Sequence, residues 1–254
     1  MLGILGGMGP LATADFMQKI IARTPAENDQ QHLPMLVYNV PQVPDRTEAI
    51  LYGGADPLPA MLTGIAFLNR NGASLIAIPC NTAHHWYGEL SRASRSPILH
   101  LADAAVAWMA HDKIDSGRVG LLATSGTVAS GFYQRRLADN GFTCSVPADQ
   151  SAVMDGIRLV KKNRIEQAST LIASVADALL EDGCRCIVLG CTEVPIALRG
   201  YQNSSRLIDA TDALAQGCVD AFRNSDKAES IRPANARVLS DHAPAGPTTV
   251  AGSP

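Results

Sequence analysis

The chain has 254 residues, 46% of them hydrophobic and 18% charged, with a formal net charge of -3 at pH 7. That length can bury a large core, as one big α/β domain or two smaller ones, and the near-neutral charge excludes a basic surface for nucleic acid. No apolar run approaches the roughly 20 residues needed to cross a bilayer, so no membrane association is expected. Met1 leads directly into Leu2-Gly3-Ile4-Leu5-Gly6 with no basic stretch before it. This does not resemble a secretory signal, and a cytoplasmic location is the expectation.

In chain order, strands are predicted over Leu2 to Leu5, Met35 to Val40, Leu75 to Pro79, Val119 to Ala123, Phe142 to Val146 and Cys186 to Leu189. Helical stretches alternate with them: Pro10 opens one, Asp56 and Pro57 begin another, and Asn71-Gly72, Asn140-Gly141 and Gly183 follow helix ends. Alternating strands and helices define an α/β fold with mostly parallel sheets covered on both faces. After Asp220 the composition turns polar and proline-rich, and residues 225–254 are expected to form a flexible tail without a catalytic role.

Two segments say nearly the same thing 111 residues apart: Leu75-Ile76-Ala77-Ile78-Pro79-Cys80-Asn81-Thr82 and Cys186-Ile187-Val188-Leu189-Gly190-Cys191-Thr192-Glu193. Each is one buried strand ending in a cysteine and small polar residues. A second echo relates Gly3-Ile4-Leu5, its glycine turn and Phe16 to Gly120-Leu121-Leu122, Thr124-Ser125-Gly126 and Phe132. Similar offsets suggest one βα-rich unit used twice. Ligands of open α/β sheets sit outside the carboxyl ends of the strands, so Cys80 and Cys191 are placed to face one another across a small-molecule site. Two opposed acid/base groups are what inversion at a carbon requires.

The six cysteines are dispersed along the chain, so a disulfide framework is not expected. No Cys-x-x-Cys pair exists and His84 and His85 are adjacent, so no metal site is expected either. Cys144, Cys184, Cys186 and Cys218 read as packing residues. For Cys80 and Cys191, helix amino termini are expected to lower the thiol pKa. Gly7-Met8-Gly9-Pro10-Leu11-Ala12 matches the dinucleotide-binding pattern, but the second strand ends Tyr38-Asn39-Val40-Pro41, without the acid that holds a ribose. A glycine turn offering backbone N–H groups to an anionic substrate explains the same residues. His84 is either a proton partner of Cys80 or a packing residue. Glu193 either assists Cys191 or complements a helix dipole. Arg46 is suited to bidentate carboxylate recognition, although loop arginines are commonly just solvated.

The motifs Gly3 to Ala14, Pro44-Asp45-Arg46-Thr47, Pro79-Cys80-Asn81-Thr82-Ala83-His84, Leu121 to Thr127 and Gly190-Cys191-Thr192-Glu193-Val194-Pro195 closely resemble those of cofactor-independent aspartate racemases of the aspartate/glutamate/hydantoin racemase superfamily. The resemblance spans about residues 1–224. It implies two pseudo-symmetric α/β domains with the active site in the cleft between them. We expect residues 1–100 with 207–224 in the first and 101–206 in the second. It also implies a homodimer, no cofactor, and a small amino acid as substrate. Cys80 and Cys191 match the catalytic pair and Arg46 the residue for the side-chain carboxylate. An ungapped alignment through Val153-Met154-Asp155-Gly156-Ile157 places Lys162, beside Lys161, on a second carboxylate-binding position. Relative to glutamate racemases the first turn lacks an aspartate and Glu193 replaces a histidine, which resembles the aspartate branch.

The expected chemistry is proton removal by one cysteine thiolate and delivery by the other thiol from the opposite face. Asn81, Thr82, Thr127 and Thr192 are the candidate donors to the growing negative charge, and Met8 in the glycine turn is counted with them as substrate-binding. Glutamate or broad-specificity racemisation and isomerisation of a related dicarboxylate are alternatives on the same scaffold. A noncatalytic amino-acid-binding protein is the alternative from another class.

Overall fold

A computed structural model of the protein describes residues 1–114 and 116–230, the side chains of 225–230 excepted. Its strands are β1 (Leu2–Gly6), β2 (Met35–Asn39), β3 (Leu75–Ala77), β4 (Gly117–Ala123), β5 (Phe142–Ser145), β6 (Cys186–Gly190) and β7 (Leu207–Asp209). Its helices are α1 (Pro10–Arg23), α2 (Arg46–Tyr52), α3 (Leu58–Arg70), α4 (Tyr87–Ala93), α5 (Leu101–His111), α6 (Ser125–Ser130), α7 (Phe132–Asp139), α8 (Gln150–Lys161), α9 (Ile165–Glu181), α10 (Val194–Ala197) and α11 (Ala210–Ser230). The punctuation works as the sequence suggests: Pro10 begins α1, Asp56 Oδ1 accepts from Leu58 N at 2.9 Å ahead of α3, and Asn71 and Asn140 cap α3 and α7. The third strand leaves its ladder at Ala77, two residues short of expectation, because Pro79 has no N–H to donate.

The strands form two parallel sheets, ordered β2-β1-β3 and β5-β4-β6-β7. The first three strands of each half therefore occupy matching places, with β1 and β4 central. The two cysteine-bearing segments follow the matching strands β3 and β6. Both central strands are buried between helices. Leu5, Met61, Ile65, Leu68 and Ile76 make one core, and Leu122, Val153, Ile157, Ile172 and Ile187 the other. This is the two-part, mostly parallel α/β architecture expected from the sequence.

Residues 207–224 do not simply join the first half. Leu207, Ile208 and Asp209 pair with Ile187, Val188 and Leu189, which puts β7 on the second sheet. The side chains that follow bind the first half instead. Lys19 and Arg23 of α1 contact Asp209 at 2.7 Å and Asp212 at 2.5 Å. Conversely, α5 packs toward the second half, with Arg136 Nε 2.5 Å from Asp103 and Cys186 donating weakly to Met109 at 3.7 Å. Residues Met1–Val219 form one compact unit. The backbone of α11 continues through Ser230, beyond the expected start of the tail at 225, and the tail residues 231–254 lie outside the described residues.

Among the described residues, no helix is long and apolar enough to cross a membrane.

Candidate active site

The carboxyl ends of the strands meet at a pocket lined by Met8, Asp45, Arg46, Thr47, Cys80, Asn81, Thr82, Thr124, Lys161, Cys191, Thr192 and Glu193. Both cysteines predicted to share a cleft lie in its wall, one from each half. Its free volume is about 30 Å³, room for two or three water molecules.

The glycine turn after β1 brings Met8 here but does not offer its first N–H to a ligand. Gly7 has φ +97°, and an added Cβ would lie 2.3 Å from the Val40 backbone, so only glycine fits. Its N–H donates to Thr13 Oγ1 at 2.9 Å, and Thr13 in turn donates to Gly9 O at 3.0 Å. The Met8 carbonyl instead holds Arg46, accepting from Nη2 at 3.2 Å, while Nη1 donates to Val43 O and Pro44 O at 3.2 and 3.0 Å. Those three bonds leave the guanidinium's Nε buried without a partner. An Nε–H and a remaining Nη2–H are the donors a carboxylate takes as a fork. Asp45 caps α2 by accepting from Thr47 N at 2.8 Å and Glu48 N at 3.0 Å, which fixes where Arg46 begins the helix.

Asn81 is 3% exposed, and its Nδ2 is buried with no partner. Thr82 belongs to a closed hydroxyl ring. Its Oγ1 lies 2.9 Å from Thr124 Oγ1 and 3.0 Å from Thr127 Oγ1, and Thr124 donates to Thr127 at 3.0 Å. Thr127 is thus removed from the wall: it is fully buried behind Thr82 and Thr124 and orients them across the seam between the halves.

Cys191 directly follows β6. Its thiol donates to Glu193 Oε2 at 3.0 Å, and Thr192 Oγ1 donates to the same oxygen at 3.0 Å. The helix argument fails for this cysteine. The helix beyond it has only four residues, and burial together with the facing carboxylate pushes the thiol pKa well above its ordinary value. Cys191 is therefore a thiol at neutral pH, and Glu193 is its hydrogen-bond acceptor. On the other side, Cys80 leads into a 3-10 turn, Thr82–Trp86.

His84 does not reach the pocket wall. Leu101 N donates to its Nε2 at 3.3 Å, which makes Nδ1 the protonated nitrogen that donates to Cys80 O at 2.9 Å. Burial holds the imidazole pKa below its ordinary value. With both nitrogens engaged, the ring braces the backbone of Cys80 and exchanges no proton with its thiol. Lys162, too, is displaced by its neighbour. It is the residue capping α8, whereas Lys161 lines the pocket. Met154, Ile157, Arg158 and Lys161 recur at helical spacing and line an adjoining chamber of about 400 Å³, so periodicity identifies Lys161 where an ungapped alignment slips by one. Asp45, Thr47 and Thr124 are the other wall residues that sequence reasoning did not select as site residues; the Asp45-Arg46-Thr47-Glu48 capping pattern was the available signal for the first. Among the described residues, no group of three or more His, Cys, Asp or Glu is arranged to hold a metal ion.

Residues 5–218 match the family model described as Asp/Glu/Hydantoin racemase. The chain is 28% identical over 229 residues to the broad specificity amino-acid racemase RacX of Bacillus subtilis, covering 87% of this chain and 98% of that one. The solved structure of Picrophilus torridus aspartate racemase is similar with a TM-score of 0.78 and 34% identity, over 87% of this chain and 93% of that one. A putative Asp/Glu racemase from Yersinia pestis shares the fold at a TM-score of 0.70 and 24% identity, over 87% and 97% of the two chains. Two matching parallel sheets, a cysteine after the corresponding strand of each, and a model match across both halves lead to one assignment: the chain belongs to the Asp/Glu/Hydantoin racemase family.

Proposed function

We propose that this racemase interconverts L- and D-aspartate by a two-base mechanism in which Cys80 and Cys191 act on opposite faces of the α-carbon. The observation that carries the reading is that cysteines from corresponding positions of the two halves line one pocket, which also holds Arg46 with its unpartnered Nε and Asn81 with its unpartnered Nδ2. Two buried cationic or amide donors suit the two carboxylates of a dicarboxylic amino acid.

With Cys191 a thiol at rest, one direction of the reaction has Cys80 as the base and Cys191 as the acid. Cys80 Sγ takes the α-proton, the electron pair left behind spreads onto the α-carboxylate, and Cys191 Sγ–H delivers a proton to the other face. The reverse reaction exchanges the roles. A Cα–H next to a carboxylate is a very weak acid, so donors such as Asn81, Thr82 and Thr192 must stabilise the developing charge. Arg46 and Lys161 hold the side-chain carboxylate.

A wider substrate range is the second reading. The adjoining chamber shares Asp45, Thr47, Thr124 and Lys161 with the pocket and extends past Tyr52 and Met154, giving longer side chains a place to go.

Both readings are decided by incubating each enantiomer of aspartate, glutamate, lysine and alanine with the protein in deuterated water without added cofactor, followed by chiral analysis. Aspartate is expected to racemise fastest, with deuterium at the α-carbon. Cys80→Ala and Cys191→Ala should each lower racemisation about 100-fold or more, while retaining exchange of one enantiomer. Full racemisation by both variants would end the two-base scheme, and faster turnover of lysine than aspartate would favour the wider range.

A further inference from the structure

We infer that Tyr133 is a positioning residue for this site: its hydroxyl, contributed by the second half, turns the Asn81 side chain so that the amide N–H groups and not the carbonyl face the substrate carboxylate. The inference rests on the proposed racemase reading for its catalytic meaning, but the orientation itself stands on geometry. Tyr133 Oη donates to Asn81 Oδ1 at 2.6 Å, linking α7 to the residue after Cys80. Tyr133 is fully buried and Asn81 nearly so, which removes water as an alternative partner for either group. A buried hydroxyl proton needs an acceptor. Asn81 Oδ1 is that acceptor, which leaves Nδ2 as the end of the amide without a partner. In the flipped amide a lone-pair acceptor would face an incoming carboxylate and repel it. Burial also pushes the phenol pKa well above its ordinary value, so the hydroxyl remains a donor at any pH where the enzyme works.

The ring is held as firmly as its hydroxyl. Phe132 lies beside it with ring centroids 5.0 Å apart. The end of β6 also lies near it: a Cβ on Gly190 would sit 3.4 Å from Tyr133 Cε2 and 2.8 Å from Leu121 Cδ1. The residue preceding one cysteine thus lies close to a tyrosine that orients the residue following the other. A donor in the first half depends on a hydroxyl from the second.

The test is a double-mutant cycle with Tyr133→Phe and Asn81→Ala, read as kcat and KM for both enantiomers of aspartate. Because the Asn81 donor acts on charge that grows in the transition state, Tyr133→Phe should lower kcat about 5- to 20-fold and change KM by less than about twofold. In the Asn81→Ala background the same substitution should change kcat by less than about twofold. Losses that multiply would show that Tyr133 acts through packing alone and would overturn the inference. An independent readout is the side-chain amide of Asn81 in a ¹⁵N-labelled spectrum, identified by its absence in Asn81→Ala. Tyr133→Phe should shift that pair of protons, and unshifted protons would overturn the orientation. If the wild type racemises nothing while the amide protons shift as expected, the racemase reading fails and the orientation stands.

Discussion

The Cys191 thiol and the Glu193 carboxylate meet at 3.0 Å, a separation at which the negative charge opposes ionisation of the sulfur. Replacing that charge by a neutral amide has a definite sign. Glu193→Gln removes the repulsion, so the thiolate forms at lower pH. Single-turnover chemistry isolates the effect: in Cys80→Ala, exchange of the α-hydrogen of one enantiomer depends on Cys191 acting as base and rises with pH. Adding Glu193→Gln should move that rise to lower pH, because the repelling charge is gone, measured as deuterium incorporation against pH. An unmoved profile would deny Glu193 any hold on the thiol. At this scale the sequence was legible where residue type and strand register coincide, as for Cys80 and Cys191, and through resemblance for Arg46; all three line the pocket. It misled where the deciding factor was a tertiary neighbour. Nothing in Pro79-Cys80-Asn81-Thr82-Ala83-His84 reveals that Leu101 N occupies the His84 Nε2. Nor does Cys191-Thr192-Glu193 reveal that burial overrides the helix terminus.

Among the elements, α2 and α6 set the geometry of the pocket, because they bring the two halves together beside it. Gly126 of α6 is a point of close approach. A Cβ there would lie 3.0 Å from Thr47 Cα and Oγ1 and 3.2 Å from Thr82 Cγ2, and the Thr47 backbone cannot step aside without carrying Arg46 with it. Gly126→Ala should therefore cost about 1–3 kcal/mol of stability. For a unit of this size that corresponds to a fall in Tm of about 3–10 °C. Arg46 would be displaced from the carboxylate, raising KM for aspartate more than it lowers kcat. Calorimetry with steady-state kinetics checks both, and an unchanged Tm would show that the seam is looser than drawn. Six of the seven strands were legible because each is a short run rich in apolar or β-branched residues, four of them bounded by glycine or proline. The seventh, Leu207–Asp209, is three residues long after the polar Asn203-Ser204-Ser205-Arg206, too brief for any periodicity, and its place comes only from pairing with β6. Likewise the segment after Cys80 coils as a 3-10 turn, whose start carries no capping signal distinct from an α-helix.

For the molecule as a whole, the junction between the halves carries a pair of neutral histidines that ties stability to pH. His84 and His100 have ring centroids 4.8 Å apart, among Tyr87 and Phe132. Each accepts a backbone hydrogen bond, His84 Nε2 from Leu101 N and His100 Nδ1 from Ala102 N at 3.1 Å, so the native state holds both rings neutral. Burial, and then the neighbouring His84, press His100 down to about 2, and burial holds His84 below its ordinary value. The backbone of Cys80 and Leu99, and then Asp103, favour a charge on His84 against that burial, while Arg136 disfavours one on both rings. In the unfolded chain both imidazoles titrate near pH 6.5. As pH falls below that value the unfolded state gains protons that the native state refuses, and stability decreases. At pH 5.5 His100 should cost about 1.4 kcal/mol relative to pH 7.5, and His84 adds to this in the same direction. The His100 part alone appears as a Tm lower by about 3–6 °C. His100→Asn keeps an acceptor for Ala102 N and deletes one of the two titrations. Its Tm should therefore fall less than the wild type's between pH 7.5 and 5.5, by the His100 part, whatever its Tm at neutral pH. Equal falls in the two proteins would place the acid sensitivity outside this pair of histidines.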